Sequence, residues 1–353
     1  MKRPEAFSPF ALRYLVTAEV TLQSHPSEKT HHAFTHWQQH FDVDGLRLEV
    51  CADDDRVAAG VYAFTRSHWV EPGLTSEPAV VAIHFQFNHR LPTLPVGGAR
   101  LTLAHGVAHV ADQTIYIAIA DAALVIEPDA PLRICLADAD DAALIGILFT
   151  HALHAALRRA QRYELHCAAL TAPVDGAGVL FIGDSGSGKS TLTMRLAAQG
   201  WRYLTDDSVL LRDKADGLRV VPLRRKFGLT PQTLQACGVA ETGLPSSDDK
   251  RFIEPANLFP ARHAVQLAPR HLVFPTLTHA AKSRLAPLTQ AAAMMRLLRQ
   301  SPWACFDPLT GRAHLQCLTQ LAQSARSWEL QAGRDLLEVP EAAAVLLGEL
   351  NHA

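Results

Sequence analysis

The sequence has little charge, few lysines and no long apolar run. Charged residues make up 19% of the 353 residues, and the formal net charge is −2. A chain with this near-neutral net charge lacks the general excess of positive charge that is typical of nucleic-acid-binding proteins, so we expect no nucleic-acid partner. No apolar run approaches the ~20 residues that a membrane-spanning helix needs, so we expect no membrane partner. Only seven of the 33 basic residues are lysines, which makes each lysine near a candidate site worth attention.

Cysteine is also sparse, and its spacing excludes the common cysteine-based sites. The six cysteines are scattered and include no Cys-x-x-Cys pair. They predict reduced, mostly buried thiols, and neither a zinc site nor a disulfide framework. The basic pair Lys2-Arg3 is not followed by a continuous apolar core, so we expect no signal peptide. These features together predict a cytoplasmic protein.

The length and the apolar content predict two domains, each with its own core. Residues 10–136 read as short apolar runs separated by turn residues, which predicts an antiparallel sheet or sandwich, with one helix around residues 32–41. An Ala- and Leu-rich helix at about residues 141–162 then connects to the second part and packs against it. We therefore predict a β-rich N-terminal domain over residues 1–140, for substrate binding or assembly, and a second domain over residues 141–353.

The clearest motif is a glycine-rich loop between an apolar strand at residues 179–182 and a helix that ends near residue 199. Glycines let successive N–H groups surround phosphate oxygens, and the helix N-terminus adds its positive end. In this pattern the lysine reaches the β- and γ-phosphates, and the following serine binds Mg²⁺. The motif predicts ATP and Mg²⁺ as cofactors, bound by Gly183, Asp184, Ser185, Gly186, Ser187, Gly188, Lys189, Ser190 and Thr191.

Two adjacent carboxylates follow the loop. One helix and one strand separate Lys189 from Asp207, which predicts that both lie at the same end of adjacent strands. One of Asp206 and Asp207 would then hold Mg²⁺, and the other would accept a proton from an incoming hydroxyl. The alternative is a turn at the end of a strand, or a pair of metal ligands without a base. His166, on the strand before the loop, is by residue type more often a core histidine than a catalyst.

Three segments resemble the HPr kinase/phosphorylase family: residues 165–169 (LHCAA), 178–190 (GVLFIGDSGSGKS) and 200–207 (GWRYLTDD). They are more similar still to the HPr-kinase-related proteins that include lasso-peptide kinases. The resemblance implies an α/β P-loop kinase domain with a phosphoenolpyruvate carboxykinase-like core, preceded by the β-rich domain. In this family a histidine stands on the strand before the loop, and the second of two aspartates accepts the proton. The matching positions are His166 and Asp207, which leaves Asp206 for the metal.

The resemblance covers only about residues 164–212, and one family motif is missing. The Glu-x-Arg-Gly segment of the bifunctional members is absent, and the corresponding region reads Pro-Leu-Arg-Arg-Lys at residues 222–226. It therefore stays open whether the protein has the phosphorylase activity of this family and whether HPr is its acceptor. Arg224, Arg225 and Lys226 either stabilise the charge on the transferring phosphoryl group or are ordinary surface charges. We include Arg224 and Lys226 among the candidate catalytic residues.

Two weaker patterns lie elsewhere in the chain. The polar stretch at residues 246–251 is either a mobile lid that contributes Lys250 or Arg251, or a solvated loop. His32, His36 and His40 would share one face of a helix, but no carboxylate or cysteine nearby in sequence completes a zinc set. His84 and His89 fit a strand pattern and read as structural.

The leading hypothesis is an ATP-dependent kinase that transfers the γ-phosphoryl group to a serine of a peptide or small protein. Lys189 and the loop would hold the triphosphate, Ser190 and Asp206 would hold Mg²⁺, and Asp207 would accept the proton with help from His166. The alternatives are a nucleotide-binding regulatory protein without phosphotransfer and a small-molecule kinase. The acceptor and any homo-oligomeric state stay open.

Overall fold

The computed structural model describes residues 37–66, 68–72, 81–87, 91–95, 97–137, 140–241, 244, 246–247 and 250–351. The chain divides into two compact units. The first comprises the described residues up to 160 together with residues 306–309, and the second comprises residues 161–305 and those from 310 onward. Within the described residues, no helix is long and apolar enough to cross a membrane.

The first unit is built on one nine-stranded sheet with two helices. Its strands are β1 (Trp37–Val43), β2 (Leu46–Ala52), β3 (Glu71–Pro72), β4 (Val81–Phe87), β5 (Ala99–Thr102), β6 (Val107–Ala111), β7 (Thr114–Ile119), β8 (Ala122–Ile126) and β9 (Leu132–Leu136). Its helices are α1 (Arg56–Thr65) and α2 (Ala142–Arg159). The strand order is β3-β1-β2-β4-β9-β8-β7-β6-β5.

Both helices pack on one face of this sheet through aromatic side chains. The ring of Phe149 on α2 lies 5.3 Å from Phe64 on α1 and 6.4 Å from Phe85 on β4. Phe41 on β1 contacts Tyr62 on α1 at 6.3 Å. Because side chains alternate across a strand, the residues next to Phe41 and Phe85 point to the opposite face.

Three expectations for this part of the chain need correction. The expected strands are present, but β2–β4 and β4–β9 are parallel, and the connection between β2 and β4 contains the helix α1. Residues 37–41 belong to β1 and not to a helix, so His40 lies on a strand, while His32 and His36 lie outside the described residues. The boundary falls at residue 160 and not near 140, because Phe149 of α2 packs between Phe64 and Phe85 of the first unit.

The second unit contains two sheets. The larger contains β10 (Arg162–Thr171), β11 (Gly178–Ile182), β12 (Arg202–Thr205), β13 (Ser208–Lys214), β14 (Gly217–Pro222), β18 (Pro269–Leu277), β19 (Arg284–Pro287) and β20 (Arg326–Ala332). Its order is β14-β13-β10-β11-β18-β20-β19, with β12 also paired to β10. The smaller has the order β15-β17-β16 and contains β15 (Phe227–Leu229), β16 (Ser246–Ser247) and β17 (Lys250–Ile253).

Helices cover both faces of the larger sheet, which explains why β11 is buried throughout and residues 167–170 of β10 are buried on both faces. The helices of the second unit are α3 (Lys189–Ala198), α4 (Pro231–Ala236), α5 (Pro255–Leu258), α6 (Gln290–Gln300), α7 (Trp303–Phe306), α8 (Gly311–Ser324), α9 (Asp335–Glu338) and α10 (Ala342–Gly348). Leu196 on α3 and Leu347 on α10 belong to the core on one face. Leu297 on α6 and Leu321 on α8 belong to the core on the other face.

The pairing of β10 differs from the sequence-based expectation in one important respect. The strands that precede Lys189 and Asp206 are not adjacent, because β10 lies between β11 and β12 and runs antiparallel to both. On one edge Cys167 pairs with Ile182, the last residue of β11. On the other edge Ala169 pairs with Thr205, the last residue of β12, and His166 pairs with Ser208. The loop and the two aspartates therefore meet at one end of the sheet, with β10 between them.

The close packing of α1 on α2 yields a stability prediction at Gly60. A Cβ atom at this buried position would lie 2.7 Å from Cγ2 of Ile145, a stiff, fully buried side chain. We expect Gly60→Ala to lower the free energy of unfolding by about 1–3 kcal/mol, although alanine is the better helix former. Urea denaturation measures this effect.

The matched control for this substitution is Gly348→Ala in α10. A Cβ at Gly348 meets nothing within 4 Å, so helix propensity alone should make that variant neutral or more stable by up to about 1 kcal/mol. In the Gly60→Ala background, Ile145→Ala should cost less than it does alone, because it removes the clashing atom. A Gly60→Ala variant as stable as the original protein would contradict the packing described.

Candidate active site

The glycine-rich loop has the backbone geometry expected of an anion-binding turn. Strand β11 ends at Ile182 and α3 begins at Lys189, which leaves six loop residues between them. Gly186 and Gly188 have φ values of 82° and 93°, a region that residues with side chains rarely adopt. Left-handed residues within such a turn direct successive N–H groups toward one concave side. Gly188 is the N-cap of α3, so the concave side lies at the helix N-terminus, where anions are favoured.

Lys189 is held beneath the loop. Its Nζ donates hydrogen bonds to the carbonyl oxygens of Gly183 at 2.7 Å and Asp184 at 3.0 Å. The residue is 5% exposed, and burial lowers the pKa of its ammonium group, an effect that the nearby carboxylate of Asp207 opposes. A buried ammonium group whose acceptors among the described residues are neutral carbonyl oxygens is a suitable partner for a phosphate oxygen.

The other loop residues have different surroundings. The Asp184 carboxylate accepts from Gln300 Nε2 at 2.7 Å and Arg299 Nη2 at 3.1 Å, so this side chain ties the loop to the end of α6. Thr191 Oγ1 lies 2.8 Å from Thr233 Oγ1 on α4. The Ser187 amide donates to the Asp184 carbonyl at 3.2 Å and closes the turn that contains Ser185.

Asp206 is the buried carboxylate of the adjacent pair. It is 1% exposed, and Oδ2 accepts a hydrogen bond from the Gly228 amide at 3.3 Å, while Oδ1 has no hydrogen-bond partner among the described residues. Burial, and then the charge of Asp207, raise the pKa of Asp206 to about 6. The Ser190 hydroxyl is close enough to hydrogen-bond this carboxyl group. An oxygen pair with an unsatisfied buried carboxylate atom fits a Mg²⁺ ion, which prefers oxygen ligands.

The pKa of Asp207 is shifted in the opposite direction to that of Asp206. Its Oδ2 accepts from Arg224 Nη1 at 2.6 Å, and its Oδ1 lies 3.5 Å from Nδ1 of His166. Burial alone would raise the pKa of Asp207, but the charge and hydrogen bond of Arg224, together with the charge of Lys250, lower it well below the ordinary value. The carboxyl group is therefore fully ionised at neutral pH.

His166 is neutral at physiological pH. Burial, and then the positive charge of Lys189, lower its pKa to about 4, although Asp207 favours the charged form. Its Nε2 is buried and makes no hydrogen bond within the described part of the chain. The neutral ring can orient Asp207 through Nδ1 without adding a positive charge to the site.

The candidate basic residues separate into two groups. Arg224 is buried, and its guanidinium group lies 5.5 Å from the ring of Phe252. Lys250 on β17 is near enough to shift the pKa values of both aspartates. Lys226, in contrast, is half-buried and makes no ion pair with either aspartate in the part of the chain that the structure describes. Arg251 pairs with Glu241 at 2.6 Å and not with the site.

The segment that contains Lys250 is a strand and not the predicted loop. Residues 250–253 form β17, which pairs with β15 and β16, while Asp248 and Asp249 lie outside the described residues. This hairpin places Phe252 beneath Arg224 and brings Lys250 toward the aspartates.

The sequence did not predict the hydrogen bond from the Gly228 amide to Asp206. Every residue except proline has a backbone N–H group, so the residue type does not indicate which amide of β15 donates to the site.

The likeness of this chain to known proteins is structural and weak. Among solved structures, the chain is similar to the HPr(Ser) kinase/phosphatase from Coxiella burnetii, at 13% sequence identity and a TM-score of 0.28. The match covers 54% of this chain and 97% of that one. No family model matches the chain, and no curated protein matches it.

The raised pKa of Asp206 predicts a pH-dependent stability effect. In the unfolded chain this carboxyl group ionises near its ordinary value of 3.8, but in the folded protein it ionises only near 6. Above pH 6 the folded state therefore contains a poorly solvated carboxylate, whereas below pH 4 both states are protonated. We expect Asp206→Asn to be more stable by about 1–3 kcal/mol at pH 7.5, with the gain disappearing below pH 4.

Urea denaturation between pH 3.5 and 8 measures this difference. Asp213→Asn, at the exposed end of β13, is the matched control and should change stability by less than about 0.5 kcal/mol at every pH. An Asp206→Asn variant that is no more stable at pH 7.5, or whose gain does not vary with pH, would contradict the electrostatic description.

Proposed function

We propose that the second unit binds Mg·ATP and transfers the γ-phosphoryl group to a hydroxyl group, a serine of a peptide or small protein being the preferred acceptor. The observation that supports the proposal is the meeting of three features at one end of the larger sheet. These are the glycine-rich loop with Lys189, the oxygen pair of Ser190 and the buried Asp206, and the ionised carboxylate of Asp207.

The first step is the binding of the triphosphate. Phosphate oxygens would accept hydrogen bonds from the loop N–H groups and from Lys189, whose present acceptors are two backbone carbonyls. Exchanging a neutral carbonyl for a phosphate oxygen strengthens the bond, because the acceptor then has a charge. The position at the N-terminus of α3 adds to this attraction.

The metal would be held by Ser190 and Asp206. An ion held there would supply positive charge that offsets the negative charge developing during transfer. A cation beside Asp206 would also favour its ionised form, which burial now disfavours.

The transfer step assigns distinct roles to Asp207, His166 and Arg224. The acceptor oxygen forms a bond to the γ-phosphorus, the bond from that phosphorus to the β–γ bridging oxygen breaks, and ADP leaves with the electron pair. The hydroxyl proton passes to Asp207, which His166 orients from 3.5 Å. Arg224 lies within 2.6 Å of the same carboxylate, so its positive charge is also available to the transferring group.

One observation favours the alternative of a nucleotide-binding regulatory protein. The Arg224 ion pair makes Asp207 a weak base in the present arrangement. Transfer requires that the incoming phosphates draw Arg224 toward themselves and so release the carboxylate. If that exchange does not occur, the same residues would bind nucleotide without transferring a phosphoryl group.

Intact-mass analysis separates these functions. The protein and its Asp207→Asn variant would be incubated with Mg·ATP, HPr and a panel of serine peptides. We expect one phosphoryl group on an acceptor, with a rate at least about 100-fold lower for Asp207→Asn because the proton acceptor is lost. Binding of ATP should be retained by this variant, since Lys189 and the loop are unchanged.

Asp213→Asn serves here as the control and should transfer at the original rate, because it lies at the exposed end of β13. Undiminished transfer by Asp207→Asn would exclude this residue as the base. Absence of transfer to every peptide and protein, with ATP bound by both proteins, would favour the regulatory alternative, and an added panel of hydroxylated metabolites would test the small-molecule kinase.

A further inference from the structure

The face of the first unit's sheet opposite α1 and α2 has an unusual set of side chains. His40 lies on β1, Glu49 and Cys51 lie on β2, and His84 lies on β4. His40 is directly opposite Glu49, and Cys51 is directly opposite His84. Directly opposed residues share a face, and so do residues two apart on one strand. All four side chains therefore project from the same side of three neighbouring strands.

The side-chain atoms of this set, which we call the His-Glu-Cys cluster, are close together. The ligand atoms of Glu49, Cys51 and His84 all lie within 4.8 Å of one another. His40 Nε2 is 3.3 Å from Glu49 Oε2. Cys51 Sγ donates to Glu49 Oε1 at 3.6 Å, so this carboxylate lies between the thiol and His40. Small side-chain rotations would bring these atoms to the ~3.5 Å separations of a tetrahedral site.

The chemistry of these ligands is specific. A thiolate, imidazole nitrogens and a carboxylate are the usual ligands of Zn²⁺, whereas Mg²⁺ and Ca²⁺ prefer oxygen alone. We propose that the His-Glu-Cys cluster is a zinc-type transition-metal site, with Glu49, Cys51 and His84 as ligands and His40 at the fourth position. The ligands come from three strands, so a bound ion would also link β1, β2 and β4.

The surroundings of the cluster are compatible with a divalent cation. Cys51 is buried, whereas the side chains of His40 and Glu49 are 17% and 28% exposed, which leaves an entry path for an ion. Arg133, directly opposite His84, forms an ion pair with Glu127 at 2.8 Å, which offsets its positive charge.

Cobalt(II) titration of the full-length, metal-stripped protein tests the proposal, because a cobalt–thiolate bond gives a charge-transfer absorption that oxygen and nitrogen ligands do not give. We expect one equivalent of Co²⁺ to bind with this absorption and to be displaced by Zn²⁺. Cys51→Ser should abolish the absorption, and His84→Ala should weaken binding by at least about 100-fold. His40→Ala should weaken it by about 10-fold, since water can take the fourth position.

The matched controls are Cys135→Ser and His109→Ala, which alter a thiol and an imidazole on other strands of the same sheet. Both should bind Co²⁺ as the original protein does, and so should Asp206→Asn, which separates this site from the proposed Mg²⁺ position. Circular dichroism would verify that each variant folds. If Cys51→Ser does not fold, His84→Ala provides a second test, because His84 is only half-buried. Absence of a bound equivalent, or binding with the thiolate absorption unchanged in both Cys51→Ser and His84→Ala, would overturn the proposal.

Discussion

The antiparallel pairing of β10 along both of its edges is the constraint on which the site depends. One edge aligns the end of β11, and with it the glycine-rich loop, while the other aligns the end of β12 and the two aspartates. His166 lies on β10 itself, between these two groups. Because helices bury both faces of this sheet, the strands cannot slip without exposing a core, and the relative positions of Lys189, Asp207 and His166 are fixed.

Different charged neighbours shift the pKa values of the two adjacent carboxyl groups in opposite directions. Asp206 has few partners, and its pKa is raised to about 6, whereas Arg224 and other positive groups keep Asp207 ionised. Paired groups whose pKa values move apart are a common feature of acid–base and metal sites. In the proposed transfer Asp206 holds the metal, and Asp207 becomes an effective proton acceptor only when the incoming phosphates draw Arg224 away from it.

The sequence predicted the local elements of the second unit better than their arrangement. The loop, the helix that follows it and the hairpin of β13 and β14 all have strong local signals in glycine spacing and turn residues. The insertion of β10 between β11 and β12 has no such signal, because strand pairing is decided by contacts distant in sequence. The Gly228 amide beside Asp206 escaped prediction for the same reason.

In the first unit, too, the features that the sequence did not predict depend on contacts between residues distant in the chain. The packing of Phe149 on Phe64 and Phe85 assigns α2 to that unit, and helical periodicity alone does not identify the surface on which a helix packs. From the sequence alone, His84 was interpreted as a structural residue. The spacing of His32, His36 and His40 predicted a helix, but residues 37–43 form β1. Only the register of β1, β2 and β4 brings His40, Glu49, Cys51 and His84 together.

Isothermal titration calorimetry with Mg·ATP determines whether the glycine-rich loop and Lys189 bind a triphosphate. We predict saturable binding of one Mg·ATP that weakens at least about 100-fold in Lys189→Met, because the buried ammonium would make charge-assisted hydrogen bonds to phosphate. Lys214→Met, on the exposed end of β13, should bind as the original protein does. Equal binding by the original protein and Lys189→Met, or no binding by the original protein, would contradict the account.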